Sequence, residues 1–161
     1  MAAEQIYRYS AENEQDTERL AVRLSELFVP GTVITLDGDL GAGKTRFSQA
    51  VAKTIGVEET VNSPTFTIIK EYEGTRFPFY HMDVYRISQP EADQLGLDEY
   101  FYGDGITLIE WAELIADLLP EERLAVRIDY AGEQARSFQL TPYGEPYTAW
   151  CRTLKENGLL L

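Results

Sequence analysis

The stretch Gly38-Asp39-Leu40-Gly41-Ala42-Gly43-Lys44-Thr45 decides the fold. It fills the pattern G-x-x-x-x-G-K-[ST], in which small residues let the backbone curl with its amides turned inward around phosphate oxygens. Lys44 adds a mobile point charge for the β- and γ-phosphates, and the Thr45 hydroxyl is the kind of oxygen that ligates Mg²⁺. A chance match in a chain of this length is on the order of one per cent. The alternative is a glycine-rich turn carrying an exposed lysine. The flanks argue against that: residues 32–36 are a short apolar β-rich run, and Phe47, Val51 and Ile55 recur every four residues until Gly56. Strand, glycine loop and helix stand in the order that a nucleotide-phosphate site requires, with the helix dipole aimed at the same phosphates. ATP and Mg²⁺ are the expected cofactors, bound by Gly38, Asp39, Leu40, Gly41, Ala42, Gly43, Lys44 and Thr45.

Outward from the loop, residues 13–28 place Leu20, Leu24, Leu27 and Phe28 at helical spacing, with acidic residues in the first turns and Pro30-Gly31 as a stop. An edge strand is expected before it at 5–9. Residues 65–72 and 77–85 flank the turn formers Glu73-Gly74-Thr75 and read as a hairpin. A short helical stretch near 90–95 leads to a buried strand over 106–109. Leu114, Ile115, Leu118 and Leu119 suggest a helix ended near Pro120; alternation around Val126 and Phe138 suggests two more strands; Tyr147, Trp150, Cys151 and Leu154 mark a last helix. The expected architecture is α/β: a P-loop NTPase-type three-layer sandwich with a mostly parallel central sheet and an antiparallel extension.

A chain of 161 residues suits one domain over 1–161 with a full hydrophobic core. Fourteen basic residues against 27 acidic ones give a net charge of −13, which repels nucleic acid, so any link to RNA is expected to be indirect. No apolar run approaches a membrane span, and the first residues lack a basic start followed by an apolar block; a cytoplasmic location is expected. Cys151 is the one cysteine and His81 the one histidine, so neither an internal disulfide nor a Cys/His metal cluster is available.

Three further segments carry candidate chemistry. Ile106-Thr107-Leu108-Ile109-Glu110 has the form of a buried strand ending on the acid that a P-loop needs as metal partner. Either Glu110 holds Mg²⁺, directly or through water, or it merely ends the strand facing solvent; Trp111 either shields the site or packs in the core. In Tyr80-His81-Met82-Asp83-Val84-Tyr85, alternation places His81, Asp83 and Tyr85 on one strand face. Asp83 would orient the attacking water or support the metal, and Arg86 would neutralise charge on the γ-phosphate; a surface Asp83/Arg86 pair and a structural His81 are the competing readings. Ser63-Pro64-Thr65 lies where switch proteins place a γ-phosphate sensor, although Thr65 would also suit the start of a strand after a proline turn.

Together, Gly38 to Thr45, Ser63-Pro-Thr-Phe-Thr67, His81-Met-Asp-Val-Tyr-Arg86 and Leu108-Ile-Glu-Trp111 resemble the TsaE (YjeE) family in order and spacing. The resemblance fades after about Pro142. It implies an ATPase acting with TsaB and TsaD in bacterial synthesis of threonylcarbamoyladenosine, the modified adenosine beside certain tRNA anticodons. Tied to positions here, it implies that Thr45 and Glu110 hold Mg²⁺, that Asp83 is essential and that Thr65 is switch-like. It also implies that the base side is approached by Glu14 and Thr17 and by an arginine near Arg136. Met82 departs from the family pattern, which usually has an aromatic residue there, and the tail from Tyr143 to Leu161 is not placed by that pattern; it either contacts a partner or closes the core.

A GTPase reading is weakened by the lack of an Asn-Lys-x-Asp element after the loop. A small-molecule kinase begins identically, but its expected lid of arginines is missing between Asp98 and Glu122. A nucleotide-gated binding module with incidental hydrolysis is the third possibility. The expected chemistry is in-line attack of water on the γ-phosphate, driven by positioning and charge neutralisation.

Overall fold

The computed structural model describes residues 5–39, 43–64 and 68–161. Seven strands, β1 (Tyr7–Ala11), β2 (Val33–Gly38), β3 (Ile69–Tyr72), β4 (Phe79–Asp83), β5 (Ile106–Glu110), β6 (Arg123–Tyr130) and β7 (Arg136–Tyr143), form one sheet in the order β1-β7-β6-β2-β5-β4-β3. The inner strands β6, β2, β5 and β4 run parallel. Antiparallel pairs close both edges, β3 on β4 and β7 between β6 and β1. The α/β sandwich expected from the sequence is therefore present, with antiparallel additions at both edges of a parallel centre.

Helices cover the two faces because strand side chains alternate. Ile34, Leu36, Leu108, Val126 and Phe138 pack with α1 (Glu14–Ser25), α2 (Lys44–Thr54) and α5 (Tyr147–Glu156) in one apolar cluster. Val33, Ile109 and Met82 join a second cluster with α3 (Gln89–Asp93), α4 (Leu97–Phe101) and the 3₁₀ helix Ala112–Leu118. Helix α1 starts where the Asn13 side chain accepts a hydrogen bond from the Asp16 amide at 2.9 Å, with Glu14 and Asp16 complementing the helix dipole. The Arg76 guanidinium caps its other end, donating to Ser25 O at 2.9 Å and Glu26 O at 3.2 Å.

Three local expectations are corrected. The apolar run at 114–119 forms a kinked 3₁₀ helix. Its start is tied to β2, since the Trp111 amide donates to Leu36 O at 3.0 Å and the Glu113 amide to the Asp37 carboxylate at 3.1 Å, which favours a tight turn. Helix α4, led in by left-handed Gly96, has five residues and too little periodicity to be read from sequence. Strand β4 ends at Asp83, so Tyr85 does not continue its inward face and is exposed. In α5, Tyr147, Trp150, Cys151 and Leu154 are all buried, and the Tyr147 hydroxyl accepts from the Val33 amide at 2.8 Å; the tail closes the core.

Candidate nucleotide site

The site forms where β2, β5 and β4 end side by side, at the carboxyl edge of the parallel strands, the usual place for ligands in open α/β sheets. Gly38 sits opposite Ile128 of β6 with φ of +142°, and a Cβ there would lie 2.0 Å from Ile128 O. Only glycine fits. Gly43 is also left-handed, at φ +105°, and turns the chain into α2. No acidic residue occupies the first turn of α2, so its amide dipole is unopposed where an anion would bind. Leu40, Gly41 and Ala42, assigned to the same loop, lie outside the described residues; Asp39 is exposed at its entrance.

Lys44 is only 5% exposed. Its Nζ donates to Gly38 O at 2.8 Å and Asp39 O at 3.0 Å and lies 4.0 Å from the centre of the Trp111 ring. Burial pushes the Lys44 pKa down, while Glu110, Asp37, Asp83 and Asp39 pull it up. Trp111 itself is left-handed at φ +62° and packs at 4.7 Å against the exposed Tyr85 ring. Tyr85, Trp111 and Lys44 thus form a run of contacts, a link between segments far apart in sequence that no motif announced.

Glu110 and Asp83 are partners across β5 and β4, and both are buried. A solvent-facing Glu110 and a surface Asp83 are therefore excluded. Asp83 accepts from the Tyr85 amide at 2.9 Å and from Ser63 Oγ at 3.4 Å. Burial raises the Asp83 pKa, and the Glu110 charge adds to that; the Tyr85 amide, His81 and Ser63 work against it. Asp37, which sequence reading passed over, is likewise pushed up by burial while it anchors the Glu113 amide. His81 is fully buried, with Nε2 2.5 Å from Glu110 Oε2 and its ring stacked on Phe79.

The remaining candidates are placed as follows. Thr45 is half-buried in the first turn of α2. Arg136 pairs with Ala11 of β1 and with Tyr130 of β6, and its Nε would lie 3.9 Å from a Cβ on Gly43. Helix α1 begins just beyond Ala11, which brings Glu14 and Thr17 in from that side; Glu14 is ion-paired with Arg46 at 2.7 Å and Thr17 is buried. Arg86 is exposed in the turn after β4. Thr65 lies outside the described residues. A cavity of 690 Å³ opens at the opposite end of α2, between Lys53, Gly56 and Val61, and has no share in this chemistry.

The donor set suits a phosphate chain with Mg²⁺: a helix amino terminus, a buried ammonium, a hydroxyl on α2 and two buried carboxylates. Among the described residues no group of three or more His, Cys, Asp or Glu could cage a metal. Mg²⁺ needs no such cage, because it keeps several waters and takes one or two protein ligands beside the phosphates.

A family model described as "Threonylcarbamoyl adenosine biosynthesis protein TsaE" matches residues 11–138. The chain belongs to the TsaE family. It is 48% identical over 145 residues to the TsaE protein of Bacillus subtilis strain 168, covering 90% of this chain and 91% of that one. The Nostoc TsaE protein is 37% identical over 147 residues, with 89% and 90% covered. Both relatives are named as tRNA threonylcarbamoyladenosine biosynthesis proteins. A crystal structure of Bacillus subtilis YdiB superposes with a TM-score of 0.83 at 42% identity, covering 96% of this chain and 97% of that one. The TsaE match ends at Phe138, so α5 lies beyond it. Among the described residues no helix is long and apolar enough to cross a membrane.

Proposed function

We propose that this TsaE-family chain is a cytoplasmic Mg²⁺-dependent ATPase that works with TsaB and TsaD in tRNA threonylcarbamoyladenosine synthesis, meeting tRNA only through that complex. The convergence of Lys44, Glu110 and Asp83 at the ends of three adjacent strands carries this reading, because phosphoryl transfer needs charge and positioning more than covalent chemistry. Thr45 and Glu110 would hold Mg²⁺, which supplies charge neutralisation on the phosphates. Lys44 exchanges the carbonyls of Gly38 and Asp39 for phosphate oxygens of higher negative charge. Asp83, fixed by the Tyr85 amide, accepts a hydrogen bond from the attacking water and orients it. Trp111 and Tyr85 shield the ammonium from bulk water, which strengthens each of these contacts. Arg136 and the start of α1 border the loop on the β1 and β7 side, which suits the nucleoside.

The test is phosphate release from ATP by the chain alone and with TsaB and TsaD added, beside Lys44→Ala. Slow turnover alone, faster turnover in the complex and loss in the variant are expected. Transfer of the phosphoryl group to a small acceptor in place of water would show that the chain is a kinase.

A further inference from the structure

His81 is the one histidine of the chain and is fully buried. It lies at the middle of β4, in register with Leu108, while Asp83 is in register with Glu110. Glu110 therefore leans back along the sheet to meet it, diagonally across the two strands. The contact joins Nε2 to Oε2, and Phe79 stacked on the imidazole fixes the ring plane. Nδ1 is buried and, among the described residues, has no hydrogen-bond partner. As a metal-binding carboxylate Glu110 only accepts, so Nε2 is the donor in this contact. Full burial with one nitrogen committed excludes a direct role for His81 on phosphate or water.

We propose that His81 is a positioning residue: its Nε2–H grips Oε2 of Glu110 and holds the carboxylate so that Oε1 is presented for Mg²⁺ at the loop. This rests on the nucleotide reading above, with Glu110 as metal partner. Partners that orient a metal-ligating side chain in this way are typically worth about 10–100-fold in metal affinity. Without His81, Glu110 at the end of β5 has a long, rotatable side chain and Lys44 and Asp83 as charged neighbours, and its carboxylate would sample other directions.

The experiment is ATP binding by titration calorimetry as a function of free Mg²⁺, with an EDTA arm, on wild type, His81→Leu and His81→Gln. His81→Leu should raise the Mg²⁺ needed to tighten ATP binding by about tenfold or more. Affinity for metal-free ATP should stay within about twofold. His81→Gln, which keeps an N–H near the place of Nε2, should recover part of the loss. Unchanged Mg²⁺ dependence in His81→Leu overturns the inference, as does an equal loss with and without metal, the mark of a purely structural residue. Wild type that binds ATP without regard to Mg²⁺ overturns the metal reading of Glu110 itself. Because the chain has one histidine, imidazole NMR of the wild type gives an independent readout that needs no folded variant. A slowly exchanging Nε2–H that shifts when Mg²⁺ joins bound ATP is expected; an Nε2 without a proton, or no response to Mg²⁺, overturns the inference.

Discussion

The sheet buries its side chains on different terms at its two ends. At and just inside the carboxyl edge of β2, β5 and β4 the hidden set is Lys44, His81, Asp83 and Glu110. On the flank built from β1, β7 and α5 it is Tyr9, Phe138, Leu140, Cys151 and Leu154. The flank gains stability from apolar area removed from water, and its rings meet in ordinary edge and tilted pairs, Tyr9 with Phe138 at 6.0 Å and Phe47 with Phe138 at 5.9 Å. The strand ends concentrate charges whose desolvation opposes folding, as the displaced pKa values of Lys44, Asp37 and Asp83 record. The proposed nucleotide binding accounts for a region that collects such groups, while its neighbour is accounted for by what it holds together.

That division is open to attack by substitution. The largest effect is expected at Lys44→Ala: ATP turnover should fall by roughly 10²–10³-fold, as when one preorganised donor to a developing charge is removed, with the urea midpoint little changed. A collapse of stability there would erase the contrast. Phe138→Ala should do the reverse. Urea unfolding should show a loss of about 3–5 kcal/mol, while turnover per folded molecule stays near that of wild type.

Asp83→Asn sharpens the comparison, because it should damage function and help the fold. Turnover is expected to drop about tenfold with ATP affinity within about twofold of wild type. Burial raises the Asp83 pKa above its ordinary value, so the folded chain holds this proton more tightly than the unfolded one. The ionised carboxylate therefore opposes folding above the folded-state pKa, and that opposition is relieved as pH falls through it. Thermal melts at pH 7 should place the variant above wild type, with the gap closing in acid. A lower midpoint at pH 7 would mean that the Tyr85 and Ser63 hydrogen bonds outweigh desolvation. The smallest signal comes from the flank: burial pushes the Cys151 thiol up to about 12, so a thiol reagent at pH 8 should label it only in denaturant.

Much of the site was legible because the decisive chemistry is contiguous. A phosphate loop is eight residues in a row, and Gly38 and Gly43 are required by φ values that the motif already encodes. Glu110 was legible as the polar end of an apolar strand, and Asp83 by alternation within β4. The run of contacts from Tyr85 through Trp111 to Lys44 was not, since it joins three segments through the turn after β4 and a left-handed Trp111. Alternation also misplaced Tyr85, because a period of two holds only while the strand continues, and β4 stops at Asp83. The 3₁₀ helix was misread because Leu114, Ile115, Leu118 and Leu119 carry a helical pattern, whereas the hydrogen bonds from Trp111 and Glu113 to β2 set the tighter winding.

By itself, then, the sequence determined the α/β class, the G-x-x-x-x-G-K-[ST] motif and the TsaE resemblance, since each is written in local spacing of residue types. Which buried groups meet was decided by tertiary structure. The register of β4 against β5 sets His81 within reach of a glutamate 29 positions further along, and β6 lies so close to Gly38 that a single methyl group would collide with Ile128 O. Strand order and register arise from long-range packing of the whole sheet, and no short window of sequence contains that information.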